Sequence, residues 1–476
     1  MTYPNVLVLD YIKSTNQSTP EIQMEAEQFI AQGYQRLLTF EVPGGGFSLF
    51  GQAPAQLMLT AYGLMEFSDM SRVYYVDPAL IERTARWLMA RQRSDGSWPV
   101  EGLTIESGWE NLLRSELPAT AYVTWALLEG GYEDTAEVQR GLSYVREFLD
   151  LKDDSYALAL VANALASGDP ESERTRQVLA ELESRKVVEE GKVYWTTQIA
   201  SFMGGRDNAA SLETTALVAY AMLRAGAYPD TASGALDFLT AQKDSFGTWQ
   251  TTQATILSLK AMLLATTQGS EGGEEATVRV SLNGEEAGPV EITAANADVV
   301  HLVSFSDKAR LGENAVRIEV EGQRALMYQV ISEYYLPWER VPKLPAAEEA
   351  VEIAVEYNRT ELAVNDVVTV KARVALKMPG VARMAVVDLG LPPGFAVLAE
   401  DLSLLVEEGV ISRYEVAARQ IIIYLEDFSS KEPLEFTYRL RAKYPLKAKS
   451  PASQAYDYYT PERQGDQRPT EIVVNQ

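Results

Sequence analysis

The sequence predicts a multidomain chain: an α/α toroid, then a short β-module, then a C-terminal β-sandwich. Three observations predict it. A Gly-x-aromatic turn recurs before apolar helices up to about Thr267. The apolar period changes from 3.6 to 2 after residue 275. The chain has 476 residues, too many for one core, so about three domains are expected.

In the first segment the turns read Gly45-Gly46-Phe47, Gly96-Ser97-Trp98, Gly191-Lys192-Val193-Tyr194-Trp195 and Gly247-Thr248-Trp249. One copy has degenerated near Asp153-Asp154-Ser155-Tyr156. A fixed period marks a repeat architecture. Each unit carries two kinds of helix. One kind is apolar nearly all round (57–65, 122–128, 156–165, 212–223, 254–264) and must be buried on most sides. The other is amphipathic: Leu80, Ile81, Trp87 and Leu88 share a face, with Glu82, Arg83 and Arg86 pointing away. Two concentric rings of about six hairpins accommodate both kinds, with the turns on one rim. Glycine permits the tight turn, and the aromatic ring wedges adjacent hairpins apart.

A linker follows at Thr266 to Gly273. Val278 to Leu282 then leads into Asn283-Gly284, a type I′ hairpin signal. Further strands are expected at 290–293, 299–305, 315–320 and 325–333. A Pro/Glu-rich linker, Val341 to Glu349, opens the last domain. Its strands are expected at 351–357, 367–376, 384–389, 412–417, 420–425, 434–442 and 452–459, with one short helix over 400–408.

Composition narrows the function. A formal charge of -25 repels polyanions, which argues against nucleic acid and anionic lipid as partners. No apolar run approaches the ~20 residues of a membrane span. With no cysteine, disulfides, thiolate metal sites and Cys nucleophiles are excluded. A single histidine, His301, excludes paired-histidine chemistry, and no Ser/His/Asp set can form in the helical segment. His301 reads as a structural residue of the 299–305 strand. Asp153, Asp154 and Glu213 could face a toroid lumen as general acids or bases, but helix caps and solvated turns explain them equally well. The start, Met1 to Asn5, has no secretory leader and reads as the middle of a helical domain, so a fragment or truncated gene is expected.

The residues also carry a family resemblance over essentially the whole chain. Pro4-Asn5-Val6-Leu7-Val8-Leu9-Asp10-Tyr11 resembles the helix that follows the Cys-Gly-Glu-Gln thioester motif in the alpha-2-macroglobulin and complement family. Gly33-Tyr34-Gln35-Arg36, Gly46 to Phe50, and Gly247 to Thr255 resemble later segments of the same domain. Ile411 to Glu415, Ile421 to Leu425 and Tyr456 to Tyr459 look like its receptor-binding domain. The resemblance implies a thioester-domain ring over 1–268, the second half of a split CUB-like β-domain over 275–338, and a receptor-binding-like sandwich over 346–476. It implies an endopeptidase inhibitor, not an enzyme. Such a trap captures proteases or other target proteins through an internal thioester, without cofactor or metal, in an extracellular or periplasmic setting. The remaining N-terminal macroglobulin domains of the parent are expected partners.

Three departures accompany it. The thioester motif is absent and is expected N-terminal to Pro4. Where some members carry an acyl-transfer histidine, this chain reads Glu106, so direct reaction with amines is expected. Where animal members use two lysines for receptor binding, it reads about Ala399 and Ser403, beside Glu400, Asp401, Glu407 and Glu408. Receptor binding is therefore not carried over, and a bacterial-type relative is suggested. Tyr11, Trp249 and Gln253 are the candidate neighbours of the thioester. Two alternatives remain open: an α/α-toroid enzyme, terpenoid-cyclase-like or polysaccharide-active, and a passive adhesion or interaction module. The half-domain at 275–338 is expected to expose strand edges and apolar surface, and so to self-associate or bind a hydrophobic dye.

Overall fold

The computed structural model describes residues 2–14, 20–49, 51–99, 116–202, 204–243, 248–249, 251–269, 275–293, 296, 301–322, 326, 328–337, 340–341, 350–417, 419–458 and 460–476. They form two compact units, one of residues 1–202 and 210–331, the other of 203–209 and 332–476.

The first unit opens with eleven described helices: α1 (Thr2–Ser14), α2 (Pro20–Leu38), α3 (Leu57–Ser71), α4 (Pro78–Met89), α5 (Leu117–Glu129), α6 (Ala136–Phe148), α7 (Ser155–Gly168), α8 (Glu173–Ser184), α9 (Asp207–Arg224), α10 (Pro229–Ala241) and α11 (Thr252–Gly269). Odd-numbered helices are the apolar ones. Every residue of α7 from Ser155 to Ala166 is buried, as is α5 from Leu117 to Leu127. The even-numbered α4 buries only Leu80, Thr84, Ala85, Trp87 and Leu88. Caps start α4, α6 and α8: Asp77, Thr135 and Ser172 each accept a backbone N–H of the first turn. Neighbouring odd helices pack in sequence, α1 on α3, α3 on α5 and α5 on α7, and α1 also packs on α11. The first helix therefore touches the last, and the array closes as a ring instead of running on as an open solenoid. Tyr3, Val6, Leu7 and Leu9 of α1 share one apolar cluster with Ile256 of α11.

The recurring aromatic turns do more than wedge. In three copies the tryptophan backbone N–H donates to a threonine hydroxyl of the following inner helix: Trp98 to Thr120 at 3.0 Å, Trp195 to Thr215 at 3.1 Å, Trp249 to Thr255 at 3.0 Å. The indole N–H donates to a carbonyl near the end of the preceding outer helix: Leu88 at 2.8 Å, Leu182 at 2.6 Å, Leu239 at 2.6 Å. Phe47, which has no indole, keeps the first bond, to Thr60 at 2.9 Å. Each of these three tryptophans thus ties an outer helix to the next inner one. Two small hairpins accompany the turns: β1 (Glu41–Val42) with β2 (Gly46–Phe47), and β3 (Val187–Glu189) with β4 (Lys192–Tyr194). Gly96 shows why glycine is needed: its φ is +91°, and a Cβ there would lie 2.6 Å from the Arg140 carbonyl oxygen.

After the ring come β5 (Ala276–Leu282), β6 (Glu285–Glu286), β7 (Val290–Ile292) and β8 (Val316–Glu321). Strand β5 pairs antiparallel with all three others. Asn283 and Gly284 have φ of +52° and +84°, as the type I′ turn requires. Of the strands expected at 299–305 and 325–333, the described residues 301–305, 326 and 328–333 carry no strand, and 299–300, 325 and 327 lie outside the described residues. Their apolar alternation is real, but a strand needs a paired edge, and Leu302, Tyr328 and Ile331 are instead exposed. His301 is accordingly an exposed residue outside any strand.

The second unit is a sandwich. Its elements are β9 (Val351–Tyr357), β10 (Glu361–Ala363), β11 (Val367–Leu376), β12 (Val381–Gly390), β13 (Phe395–Val397), α12 (Ala399–Glu407), β14 (Arg413–Val416), β15 (Gln420–Ser429), β16 (Leu434–Ala442), β17 (Leu446–Lys449), β18 (Ser453–Asp457), β19 (Thr460–Gln467) and β20 (Glu471–Asn475). One sheet runs β13-β16-β11-β9, a second β14-β15-β12-β18-β19, and β10-β20-β17 forms a third. Strict alternation puts Phe436, Tyr438 and Leu440 of β16 inside and Glu435, Thr437 and Arg439 outside. All seven expected strands and the helix are present. Strands β10, β13, β17, β19 and β20 were not expected. They are short, or as in Thr-Pro-Glu-Arg-Gln-Gly-Asp-Gln of β19 they lack apolar alternation and follow their neighbour's edge.

Candidate functional site

Among the described residues, the ring's inner helices carry two sealed polar clusters, besides the buried acid Glu66 of α3. At the first, Asp69 of α3 is 1 % exposed and joins the helices that close the ring. Its Oδ2 accepts from the Tyr3 hydroxyl at 2.6 Å and pairs with Lys260 Nζ of α11 at 2.8 Å. Its Oδ1 accepts from Arg72 Nη2 at 2.7 Å, and Arg72 Nε also donates to Asp10 of α1 at 2.9 Å. Burial works against the charge on Asp69, but Lys260 and Arg72 outweigh it and hold the carboxyl below its ordinary value. Burial likewise disfavours the Lys260 ammonium, and Asp69 overcomes that, so its pKa is raised. Helices α1, α3 and α11 are thus locked by one buried clasp. Sequence reading passed over both residues, although a lysine inside Ile-Leu-Ser-Leu-Lys-Ala-Met-Leu-Leu is itself a signal, since an unpaired buried ammonium is prohibitive.

The second group centres on Glu213 of α9, which is fully buried. Thr251 Oγ1 donates to its Oε1 at 3.4 Å, and the Ser201 side chain is also hydrogen-bonded to it. Tyr122 of α5 and Tyr156 of α7 both feel its charge. Burial pushes the Glu213 carboxyl up to about 8. This is no solvated lumen carboxylate. Asp154 resolves to the cap reading: it accepts from Tyr156 N at 2.9 Å and from Gln198 N at 2.9 Å.

Of the residues singled out from sequence, Trp249 and Gln253 stand together at the entrance to α11. Trp249 is fully buried in its staple, with Lys243 Nζ 4.9 Å from the ring. Gln253 is 3 % exposed, and its Oε1 has no hydrogen-bond partner among the described residues. Tyr11 is half-buried near the end of α1, the helix that packs on α11. Glu106, Gly247 and Gln250 lie outside the described residues.

In the sandwich, α12 is turned to structural use. Asp401 accepts from Arg439 N and Nε at 2.9 Å each and from Nη2 at 2.6 Å. Ser403 Oγ lies 2.9 Å from the Tyr414 hydroxyl, and Ala399 opens the helix. Short side chains at 399 and 403, on a helix with Glu400 and Asp401 in its first turn, offer no cation to an acidic partner.

Comparison with known proteins fits this architecture. Residues 1–264 match the model of the A-macroglobulin TED domain, and residues 380–468 that of the A-macroglobulin receptor binding domain. Ovostatin from Gallus gallus is 24% identical over 486 residues, which takes in 96% of this chain but 32% of ovostatin, so the chain spans about a third of that relative. Among solved structures, native Escherichia coli alpha-2-macroglobulin spanning domain MG7 to the C-terminus matches with a TM-score of 0.64 at 15% identity, covering 100% of this chain and 72% of that one. Salmonella alpha-2-macroglobulin reacted with methylamine matches with a TM-score of 0.63 at 16% identity, covering 100% and 29%. At such identities the structures speak for the fold alone, but the TED model takes in more than half of the chain. A closed helical ring followed by a sandwich, with both domain models in that order, means that this chain belongs to the alpha-macroglobulin family.

Proposed function

We propose that the chain works as the C-terminal part of an alpha-macroglobulin-type protease trap, in which the ring shields an acyl bond supplied by sequence N-terminal to Pro4. The observation that carries this reading is the buried clasp of Tyr3, Asp69 and Lys260. It fixes α1, the helix resembling the one that follows the thioester motif, onto the last helix of the ring. A reactive acyl group survives only where water is excluded and its neighbours cannot move. The proposed domain limits are 1–268, 275–338 and 346–476, the second being half of a CUB-like domain completed by other parts of the parent. Capture is stoichiometric rather than catalytic, since each acyl bond reacts once. An amine nitrogen attacks the thioester carbonyl, the thiolate leaves, and the amine's proton ends on sulfur.

The carboxylate of Glu106, at the position of the family's acyl-transfer histidine, is a poor acyl carrier. Direct acylation of amines, chiefly lysines of trapped proteases, follows. Tyr11, Trp249 and Gln253 are proposed to line the bond, and the setting is extracellular or periplasmic. The test is to treat the polypeptide that contains this chain with methylamine and with protease. The reading requires release of one thiol per chain and amide-linked protease adducts, with Glu106→His shifting adducts toward esters. No thiol release, or dominant ester adducts in the unsubstituted protein, would overturn it.

A further inference from the structure

Glu213 joins two stretches of the ring rim that are otherwise separate in sequence. Ser201 lies on the stretch that follows the Trp195 staple and leads into α9. Thr251 lies between the Trp249 staple and α11. Both hold the same buried carboxyl, Thr251 through Oε1. Beside Ser201, the Phe202 N–H donates to the Tyr156 hydroxyl at 3.0 Å, and the Phe202 ring packs at a tilt against that of Tyr122, centroids 4.4 Å apart. Two sealed polar atoms here have no hydrogen-bond partner among the described residues: Glu213 Oε2 and the Tyr122 hydroxyl, which feels the Glu213 charge. The groups facing the carboxyl are Tyr122 from α5, Tyr156 from α7, Ser201, and Thr251 before α11. Among the described residues, no cation is one of the groups that act on it. A carboxylate sealed without a cation is costly, whereas the neutral acid is not; the hydrogen bonds from Ser201 and Thr251 favour the ion, but burial outweighs them and keeps the proton on.

We propose that Glu213 is a positioning residue: holding a proton, it clamps Ser201, after the Trp195 staple, and Thr251, before α11, into one rim, and losing that proton releases them. Its influence on acyl-bond reactivity rests on the trap reading above; the clamp itself does not. Burial pushes the Glu213 carboxyl up to about 8, so the clamp is intact at neutral pH and opens in mild alkali.

Hydrogen exchange on this chain, corrected for the intrinsic rate, tests the clamp at the Phe202 and Trp249 amides. In the unsubstituted chain their protection falls about tenfold between pH 7 and 9. In Glu213→Gln, which is neutral at every pH, the fall is under about twofold. Glu66→Gln, a control at the other sealed acid of α3, behaves like the unsubstituted chain. Protection that does not change with pH, or a Glu213→Gln profile that copies the unsubstituted one, overturns the proposal. A second readout uses the thioester-bearing polypeptide: the rate of methylamine-driven thiol release, divided by that of Glu213→Gln, rises above pH 8. A flat ratio with an intact exchange result overturns the link to acyl chemistry and leaves the clamp standing. Absence of any thiol release overturns the trap reading alone.

Discussion

Replacing Lys260 by methionine removes an ammonium from the clasp while keeping an unbranched apolar stem of similar reach. The pair it breaks is sealed, with side-chain exposure of 7% for Lys260 and 1% for Asp69. Removing one partner of a buried pair costs ~3–5 kcal/mol, because the other charge is stranded. Asp69 keeps Arg72 at 2.7 Å and Tyr3 at 2.6 Å, so the loss falls at the low end, about 3 kcal/mol. The sign with pH follows. A carboxyl held below its ordinary value contributes stability above its unfolded pKa, and that contribution is lost as pH falls through the folded one. Deleting Lys260 raises the Asp69 pKa, so acid destabilisation sets in at higher pH. Pairing Lys260→Met with Asp69→Asn removes the stranded charge and should recover about half of the loss or more. Urea denaturation followed by tryptophan emission reads this out, since six of the seven tryptophans precede residue 268. A Lys260→Met chain within about 1 kcal/mol of the unsubstituted one, or a double variant as unstable as the sum of the singles, would refute the reasoning.

Three further outcomes follow from the same interior. Thr215→Val keeps the shape of the side chain but leaves the Trp195 N–H buried without its acceptor, for a loss of ~1–3 kcal/mol; an unchanged thermal midpoint would discard the staple. Gly96→Ala combines a φ of +91° with a Cβ 2.6 Å from a carbonyl oxygen and should cost about 3 kcal/mol or more, against ~1 kcal/mol for Gly191→Ala, whose φ is +81° but whose Cβ would meet nothing within 4 Å. Equal losses in chemical denaturation would show that the close approach is irrelevant. Glu66 and Glu213 are both pushed up to about 8 by burial. The unfolded chain gives up these protons near pH ~4.5 while the ring keeps them. Stability of the ring should therefore decline as pH rises from about 4.5 to 8 by a few kcal/mol, then level off. A stability profile that Glu66→Gln and Glu213→Gln leave unaltered would contradict this.

Most of the helical domain was legible because a fully buried helix has to be apolar all round and a half-buried one amphipathic, so α4 and α7 announce their layers by composition. Alternation was equally plain in β16, which faces a core on one side only. It misled at 301–305 and 328–333, where apolar residues such as Leu302 and Tyr328 stand exposed without a pairing edge. Residues such as Leu302 and Ile331 carry a strand's pattern, but a pattern does not supply hydrogen-bond partners.

The sequence alone determined the order of the elements, the ring's two layers, the Asn283-Gly284 hairpin and the absence of cysteine or paired-histidine chemistry. Those follow from local periodicity, turn stereochemistry and residue identity. Only the tertiary structure decided that Lys260 meets Asp69 and Tyr3, that Thr120, Thr215 and Thr255 each receive a tryptophan N–H, and that Glu213 bridges two rim stretches. These pairings join residues far apart in the chain or hidden among apolar neighbours. Their chemistry is set by burial and by what faces them, neither of which has a local signature.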